Sequence, residues 1–170
     1  PRSTLSSSSA ASDVYKRQRN SWFKLKKKPD ILILEGWCVG ARAEGSRSLN
    51  RPINVLEKNA DKKKIWRSYV NNQLKSKYSK LFDQLDSLLY LKAKNFKLLK
   101  RWRLKQEKKL KMKSGTKKNS KIMNEREVET FMMTYQRITQ NMFKNAPKYS
   151  SVVIDLNENH QIKKVKFKHA

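Results

Sequence analysis

The sequence predicts an α/β chain, an incomplete doubly wound parallel sheet with flanking helices that lacks its first units. Three observations predict it. Ile31-Leu32-Ile33-Leu34 is a continuous apolar run that stops abruptly at Glu35 and Gly36, the pattern of a parallel strand buried on both faces. Ser151-Val152-Val153-Ile154-Asp155-Leu156 is a second such run, again ending near an acid. Between them, strand-like and helix-like stretches alternate in the order of crossover units.

The start of the chain is set aside. Pro1 to Ala11 is low-complexity Ser and Ala, with no apolar run for a signal peptide and no amphipathic period for a transit helix. Asp13-Val14-Tyr15-Lys16-Arg17-Gln18 is what one reading frame of the mosaic-end adapter of transposase sequencing libraries translates to. Residues 1–18 therefore read as a low-complexity and sequencing-adapter artefact. On that reading the native sequence enters mid-gene, and residues 19–170 are the C-terminal part of one domain.

Asp30 to Cys38 is expected to form the first strand and to deliver Glu35 at its carboxyl end, where ligands of open α/β sheets bind. A carboxylate there can hold Mg²⁺, accept a proton from a hydroxyl, or merely cap the next turn. Val39 to Asn59, with Gly40, Gly45 and Pro52, reads as a long loop. Ile65, Trp66, Tyr69, Val70, Leu74, Tyr78, Leu81, Phe82 and Leu85 recur at helical spacing behind Asp61 as a cap, which predicts one amphipathic helix with room for a bend. Leu88-Leu89-Tyr90-Leu91 is too short for a helix and fits a second buried strand. Asn95 opens another helix through Phe96, Leu99, Trp102, Leu104 and Leu110. Lys111 to Lys121 is polar, basic and centred on Gly115, the composition of a connector or lid. Asn124-Glu125-Arg126-Glu127 has capping-box form, and Val128, Phe131, Met132, Tyr135, Ile138, Met142 and Phe143 mark the core face of the helix it starts. Pro147 is expected to follow that helix. Beyond Leu156, Asn157 to Asn159 signals a turn, and Ile162, Val165 and Phe167 alternate as a terminal strand would.

Charge and cysteine usage bound the function. The 170 residues carry a formal net charge of +27, so polyanions are attracted nonspecifically. The lysines are nevertheless spread along the chain, in Lys26-Lys27-Lys28, Lys62-Lys63-Lys64, Lys108-Lys109 and Lys117-Lys118, and interrupt apolar periods at solvent-facing places. A solvated surface accounts for that better than a dedicated nucleic-acid groove. The lone Cys38 excludes an internal disulfide and fits a reducing, cytoplasmic compartment, and no stretch approaches the ~20 apolar residues of a membrane span. Gly40 to Gly45 has the glycine spacing of a phosphate-cradling loop but lacks the Lys that must follow the second glycine; Ser46 and Arg47 stand there instead. One Cys and two His give no zinc spacing, and His160, in a turn, is expected to be a surface histidine.

Several motifs in order carry a resemblance. Ile33-Leu34-Glu35-Gly36-Trp37-Cys38-Val39-Gly40-Ala41-Arg42, Pro52-Ile53-Asn54-Val55-Leu56-Glu57, Trp66-Arg67-Ser68-Tyr69-Val70-Asn71 and Tyr78 to Asp86 closely resemble the D-glycerate 3-kinase group of P-loop kinases. Phe96 with Arg101-Trp102-Arg103-Leu104-Lys105-Gln106-Glu107, Met123 to Tyr135, and Val152 to His160 extend the likeness over roughly Pro29 to Phe167. The resemblance implies ATP-dependent phosphorylation of a small hydroxy acid, with ATP and Mg²⁺ as cofactors and no specific nucleic acid or membrane partner. It implies Glu35 as catalytic acid-base or Mg²⁺-organising residue, and Arg101 and Arg103 as nucleotide-phosphate ligands. Neighbours two apart on a helix point different ways, so one arginine is expected to dominate and the other to lie at the surface or in a salt bridge. Trp37, Arg42 and Arg67 would contact substrate. The strand, phosphate loop and first helix of that group have no counterpart here, which predicts an inactive piece with uncovered apolar sheet edges. The rival reading is a noncatalytic nucleic-acid module built on the basic surface around Trp22 and Phe23.

Overall fold

The computed structural model describes residues 27–114 and 122–168. The low-complexity and adapter-like start, Trp22, Phe23 and residues 115–121 of the expected connector lie outside the described residues.

Three strands form one sheet: β1 (Leu89–Lys92), β2 (Val152–Leu156) and β3 (Ile162–Phe167), in the order β1-β2-β3. β1 and β2 run parallel with Leu89 opposite Val152, whereas β2 and β3 are antiparallel with Val153 opposite Lys166. These are the second, third and terminal strands expected from the sequence. The first expected strand does not form. The stretch from Ile31 to Gly36 belongs to no regular element and makes no main-chain hydrogen bond to another described residue, and Ile31, Leu32 and Ile33 are 79, 85 and 82% exposed. A strand exists only through its neighbours, and the described residues supply none for this run.

Alternation along the strands sorts the sheet into two unlike faces. Tyr90, Lys92, Val153, Asp155, Lys164 and Lys166 share one. Tyr90 and Val153 point into the core, and Asp155 pairs with Lys166 at 3.0 Å and Lys92 at 3.6 Å at its margin. Leu89, Leu91, Val152, Ile154, Val165 and Phe167 share the other, and no described element covers it.

The helices pack on the Tyr90 face. Val39 to Asn59, expected to be a loop, contains a 3-10 turn (Ser46–Asn50) and a short helix, α1 (Val55–Ala60). The Asn54 carboxamide oxygen accepts the Glu57 amide at 2.9 Å and caps α1, a local signal too brief to produce an apolar period. The single amphipathic helix expected next forms as one continuous helical run, α2 (Ile65–Gln73) passing through a π turn (Leu74–Tyr78) into α3 (Ser79–Phe82). Asp61 does cap it, accepting the amides of Trp66 and Arg67 at 3.0 and 3.1 Å. α4 (Phe96–Ser114) starts at Asn95, whose side chain accepts the Leu98 amide, and it continues three residues past Lys111, where a connector was expected. α5 (Glu125–Tyr149) begins with the full reciprocal capping box of Asn124 and Glu127. It runs through Pro147 rather than stopping before it. Proline there removes only one main-chain bond, and burial of Met142 and Ala146 holds the last turns in place. Ala41, Leu74, Met142 and Ala146, with Tyr90 against them, form the core that binds both crossover layers to the sheet.

Candidate functional site

The chain leaving Glu35 turns sharply through Trp37 to Gly40. Gly40 adopts φ +76°, and a Cβ there would come within 2.7 Å of Leu88, so this reversal requires glycine. Cys38 takes φ 70° in the same turn. Its thiol is half-buried beside Thr139; burial pushes its pKa up to about 11, a hydrogen bond with Thr139 draws it partly back, and it stays protonated at neutral pH. Cys38 packs on the core and serves as a small apolar residue rather than a nucleophile.

This turn forms one wall of a cleft of about 1140 Å³. Glu35 and Trp37 line it together with Leu89, Tyr90 and Leu91 of β1 and with Trp102, Arg103 and Gln106 of α4. Trp37 stacks on Tyr135 of α5 with centroids 4.9 Å apart and meets Phe131 edge-on at 6.3 Å. The stacking fixes the indole while leaving it 44% exposed toward the cleft.

The two arginines of α4 diverge as helix geometry requires. Arg103 is nine-tenths buried: Nη2 donates to Glu107, Nη1 donates to Gln106 Oε1 at 2.6 Å, and the guanidinium lies 5.4 Å from the Phe131 ring centroid. Its Nε is buried and has no partner among the described residues, while the residue as a whole lines the cleft. Glu107 also accepts the Met123 amide at 3.1 Å, which ties α4 to the entry of α5. Arg101 is the surface residue of the pair, its side chain 60% exposed and bonded to Glu158 at 3.1 Å. Trp102 donates its indole N–H to the Glu158 carbonyl at 2.9 Å and stacks on His160 at 4.1 Å, which anchors the β2–β3 turn to α4. His160 is exposed, as expected, and holds φ 65° in that turn.

Two of the residues that the resemblance assigns to substrate do not line this cleft. Arg42 is not on the cleft; its guanidinium sits 3.9 Å over the Tyr149 ring. Arg67 is 7% exposed, and its donors go to Asp61 Oδ2 at 3.0 Å, the Asp61 carbonyl at 2.5 Å and the Leu49 carbonyl at 2.7 Å. Burial alone raises the Asp61 carboxyl, but the amides of Trp66 and Arg67 and the Arg67 charge outweigh it and hold the group below the usual carboxylate range.

Sequence reasoning missed Arg137. From the middle of α5 it donates from Nε to Glu57 Oε1 at 2.8 Å, from Nη2 to Glu57 Oε2 at 2.6 Å and from Nη1 to Glu44 at 2.9 Å. The Glu57 bond chiefly raises the guanidinium pKa, and burial opposes it. Asn71 brackets Glu44 by accepting its amide at 2.7 Å and donating to its carbonyl at 3.1 Å. The motifs at 52–57 and 66–71 thus lock the segment after Gly40 onto α2 and α5. The one signal for Arg137 was a charge inside the apolar period of that helix.

Among the described residues, no group of three or more His, Cys, Asp or Glu side chains is placed to hold a metal, and no helix is long and apolar enough to cross a membrane. Glu35 stands as a single carboxylate on the cleft that the buried Arg103 guanidinium borders. That donor set fits Mg²⁺ held mainly by phosphate and water oxygens with one protein carboxylate.

No family model and no curated protein sequence matches the chain. Among solved structures it is similar to the D-glycerate 3-kinase from Cryptococcus neoformans var. grubii serotype A, with a TM-score of 0.67 and 19% sequence identity over 85% of this chain. The chain spans about half of that protein, 51% of its length. The likeness is one of fold: a mixed α/β arrangement with a three-stranded, partly parallel and incomplete sheet and flanking helices, similar to a kinase fold.

Proposed function

We infer that this chain is the C-terminal part of a cytoplasmic P-loop kinase domain that transfers the γ-phosphoryl group of ATP to a hydroxyl of a small hydroxy acid, D-glycerate foremost. The single observation that carries this reading is the placement of Glu35, Trp37 and Arg103 on one cleft, with the buried Arg103 Nε lacking a partner. The kinase-like fold supports it. An unpaired guanidinium donor on the same cleft as a carboxylate is the complement of an anion with a bound cation.

Phosphoryl transfer needs positioning and charge neutralisation more than covalent help. Arg103, held rigid by Glu107 and Gln106, would supply positive charge beside phosphate oxygens in the cleft. Glu35 sits on the cleft wall, where it can accept the proton of the attacking hydroxyl or orient water around Mg²⁺. Trp37, fixed by Tyr135, excludes water and shapes the space for a small acceptor. Bound Mg²⁺ would neutralise charge on the phosphates. Arg101, by contrast, serves the β2–β3 turn, and Arg42 and Arg67 take no part in substrate binding. Residues 1–18 are excluded as an artefact, and residues 19–170 belong to the single kinase domain.

No described glycine loop cradles phosphate: Ser46–Asn50, after Gly45, is a 3-10 turn without the required lysine. The test is ATP-dependent phosphorylation of D-glycerate by the chain extended upstream in its own reading frame. Turnover that falls at least ~100-fold in Glu35→Gln is expected. An extended chain that carries a Gly-Lys-Ser/Thr loop yet phosphorylates no small hydroxy acid contradicts the reading.

A further inference from the structure

The helical run that begins with α2 is apolar on the side it turns to solvent. Ile65, Trp66, Tyr69 and Val70 fall within less than half of its circumference at about 100° per residue, and the first three are 63, 64 and 56% exposed. Arg67 and Asn71, on the other side, are buried. Tyr78 and Leu81 are exposed beyond the π turn, so apolar side chains stay open along the whole run. Charge gives the stretch its second property. No Asp or Glu stands between Lys62 and Phe82. Lys62, Lys63, Lys75, Lys77 and Lys80 are exposed there, and none pairs with a carboxylate among the described residues. The one arginine of the stretch, Arg67, is buried against Asp61.

We propose that this face docks on an anionic membrane surface, with α2 and α3 lying in the plane of the interface, Ile65, Trp66 and Tyr69 entering the headgroup–acyl boundary, and the lysines reaching the lipid phosphates and carboxylates. Trp and Tyr carry an apolar ring with one polar tip, and a lysine stem lies along apolar surface while its ammonium stays in water. Such a set matches a boundary between hydrocarbon and charged headgroups. Other occupants fit less well. A second copy of the chain would bring the same lysines face to face. Single-stranded nucleic acid is held on stacking platforms, whereas the Trp66 and Tyr69 rings meet edge-on at 6.5 Å and 83°, beside aliphatic Ile65 and Val70. An acidic protein is ordinarily met by arginine forks rather than by lysines alone. Docking of this kind departs from the expectation of no membrane partner, and it stands or falls apart from the kinase reading.

A +27 chain meets any anionic surface by diffuse attraction, so the test locates the contact. Vesicles of phosphatidylcholine and phosphatidylserine, and of phosphatidylcholine alone, are added to the 170-residue chain and to the chain extended upstream in its reading frame. An environment-sensitive dye is carried by Tyr69→Cys, by Leu81→Cys or, on β3, by Lys163→Cys, each with Cys38→Ala. The dyes at 69 and 81 should shift to the emission of an apolar medium on the mixed vesicles only, and the dye at 163 should not shift. Co-sedimentation of unlabelled chain gives a second readout. At ~150 mM salt, Trp66→Ala with Tyr69→Ala should lower vesicle affinity about 10-fold or more, and Lys163→Ala with Lys164→Ala less than about 2-fold. The proposal is overturned by equal dye shifts at all three sites, by unchanged affinity of the Trp66 and Tyr69 variant, or by an extended chain that binds no vesicle, which would mean that its upstream part covers the face. Tighter binding of a single-stranded oligonucleotide that is lost in the same variant also overturns it.

Discussion

Arg67 and Arg103 are both buried guanidiniums, and their partners separate their roles. Arg67 is held by Asp61 and Leu49 through its Nε and Nη1, so its removal leaves a buried carboxylate without its counter-charge. Arg67→Met is predicted to lower stability by about 3–5 kcal/mol in urea unfolding, with ligand affinity per folded molecule of the extended chain unchanged. A loss of affinity without a loss of stability would return Arg67 to the substrate site. Acid reads the same network. Asp61, Glu57 and Asp155 are all held below their ordinary values, so their folded state binds fewer protons than the unfolded one. Their stabilisation is complete above the ordinary carboxylate range and is lost as pH falls through the depressed folded values. The melting temperature should stay level from about pH 7 to 5, drop below about pH 4, and drop less steeply in Asp61→Asn. Of these details, helix geometry foretold that Arg101 and Arg103 would part company. Which one turns inward depends on Glu158, 57 residues from Arg101, and no local pattern contains that.

At the scale of elements, what is local was legible and what is not local was not. The α5 capping box is written in four consecutive residues, and Asn124→Ala should cost about 1 kcal/mol in thermal or urea unfolding. No change would show that packing of Val128 and Met132, not the cap, fixes the start of α5. β1 and β2 were legible from short apolar runs between turn signals. Ile31-Leu32-Ile33-Leu34 is as apolar a run as either and forms no strand, because pairing is a property of two segments. α1 was hidden for the opposite reason: its six residues are held by the Asn54 cap and by Arg137, 80 residues from Glu57. The cleft was legible only in part. Glu35, Trp37 and Arg103 meet there, whereas Arg42 and Arg67 became packing residues.

Over the whole molecule, a +27 charge surrounds an incomplete sheet. The apolar face of Leu89, Leu91, Ile162 and Phe167 is uncovered among the described residues, and a hydrophobic dye should bind this chain and release when the extension is present. The charge predicts that any ATP retained by the 170-residue chain is held by diffuse attraction. Its apparent affinity should fall about tenfold or more between ~50 and ~500 mM salt and be indifferent to Mg²⁺. Salt-insensitive, Mg²⁺-dependent micromolar binding by this chain would mean that it holds a complete nucleotide site. Whether the buried, unpartnered Arg103 donor belongs to a phosphate centre is tested most directly by calorimetric titration of MgATP into the extended chain and its two arginine variants. Arg103→Met should weaken binding about 10-fold or more and Arg101→Met less than about 2-fold, as a charged hydrogen bond requires; equal losses, or a loss confined to Arg101→Met, would contradict the account.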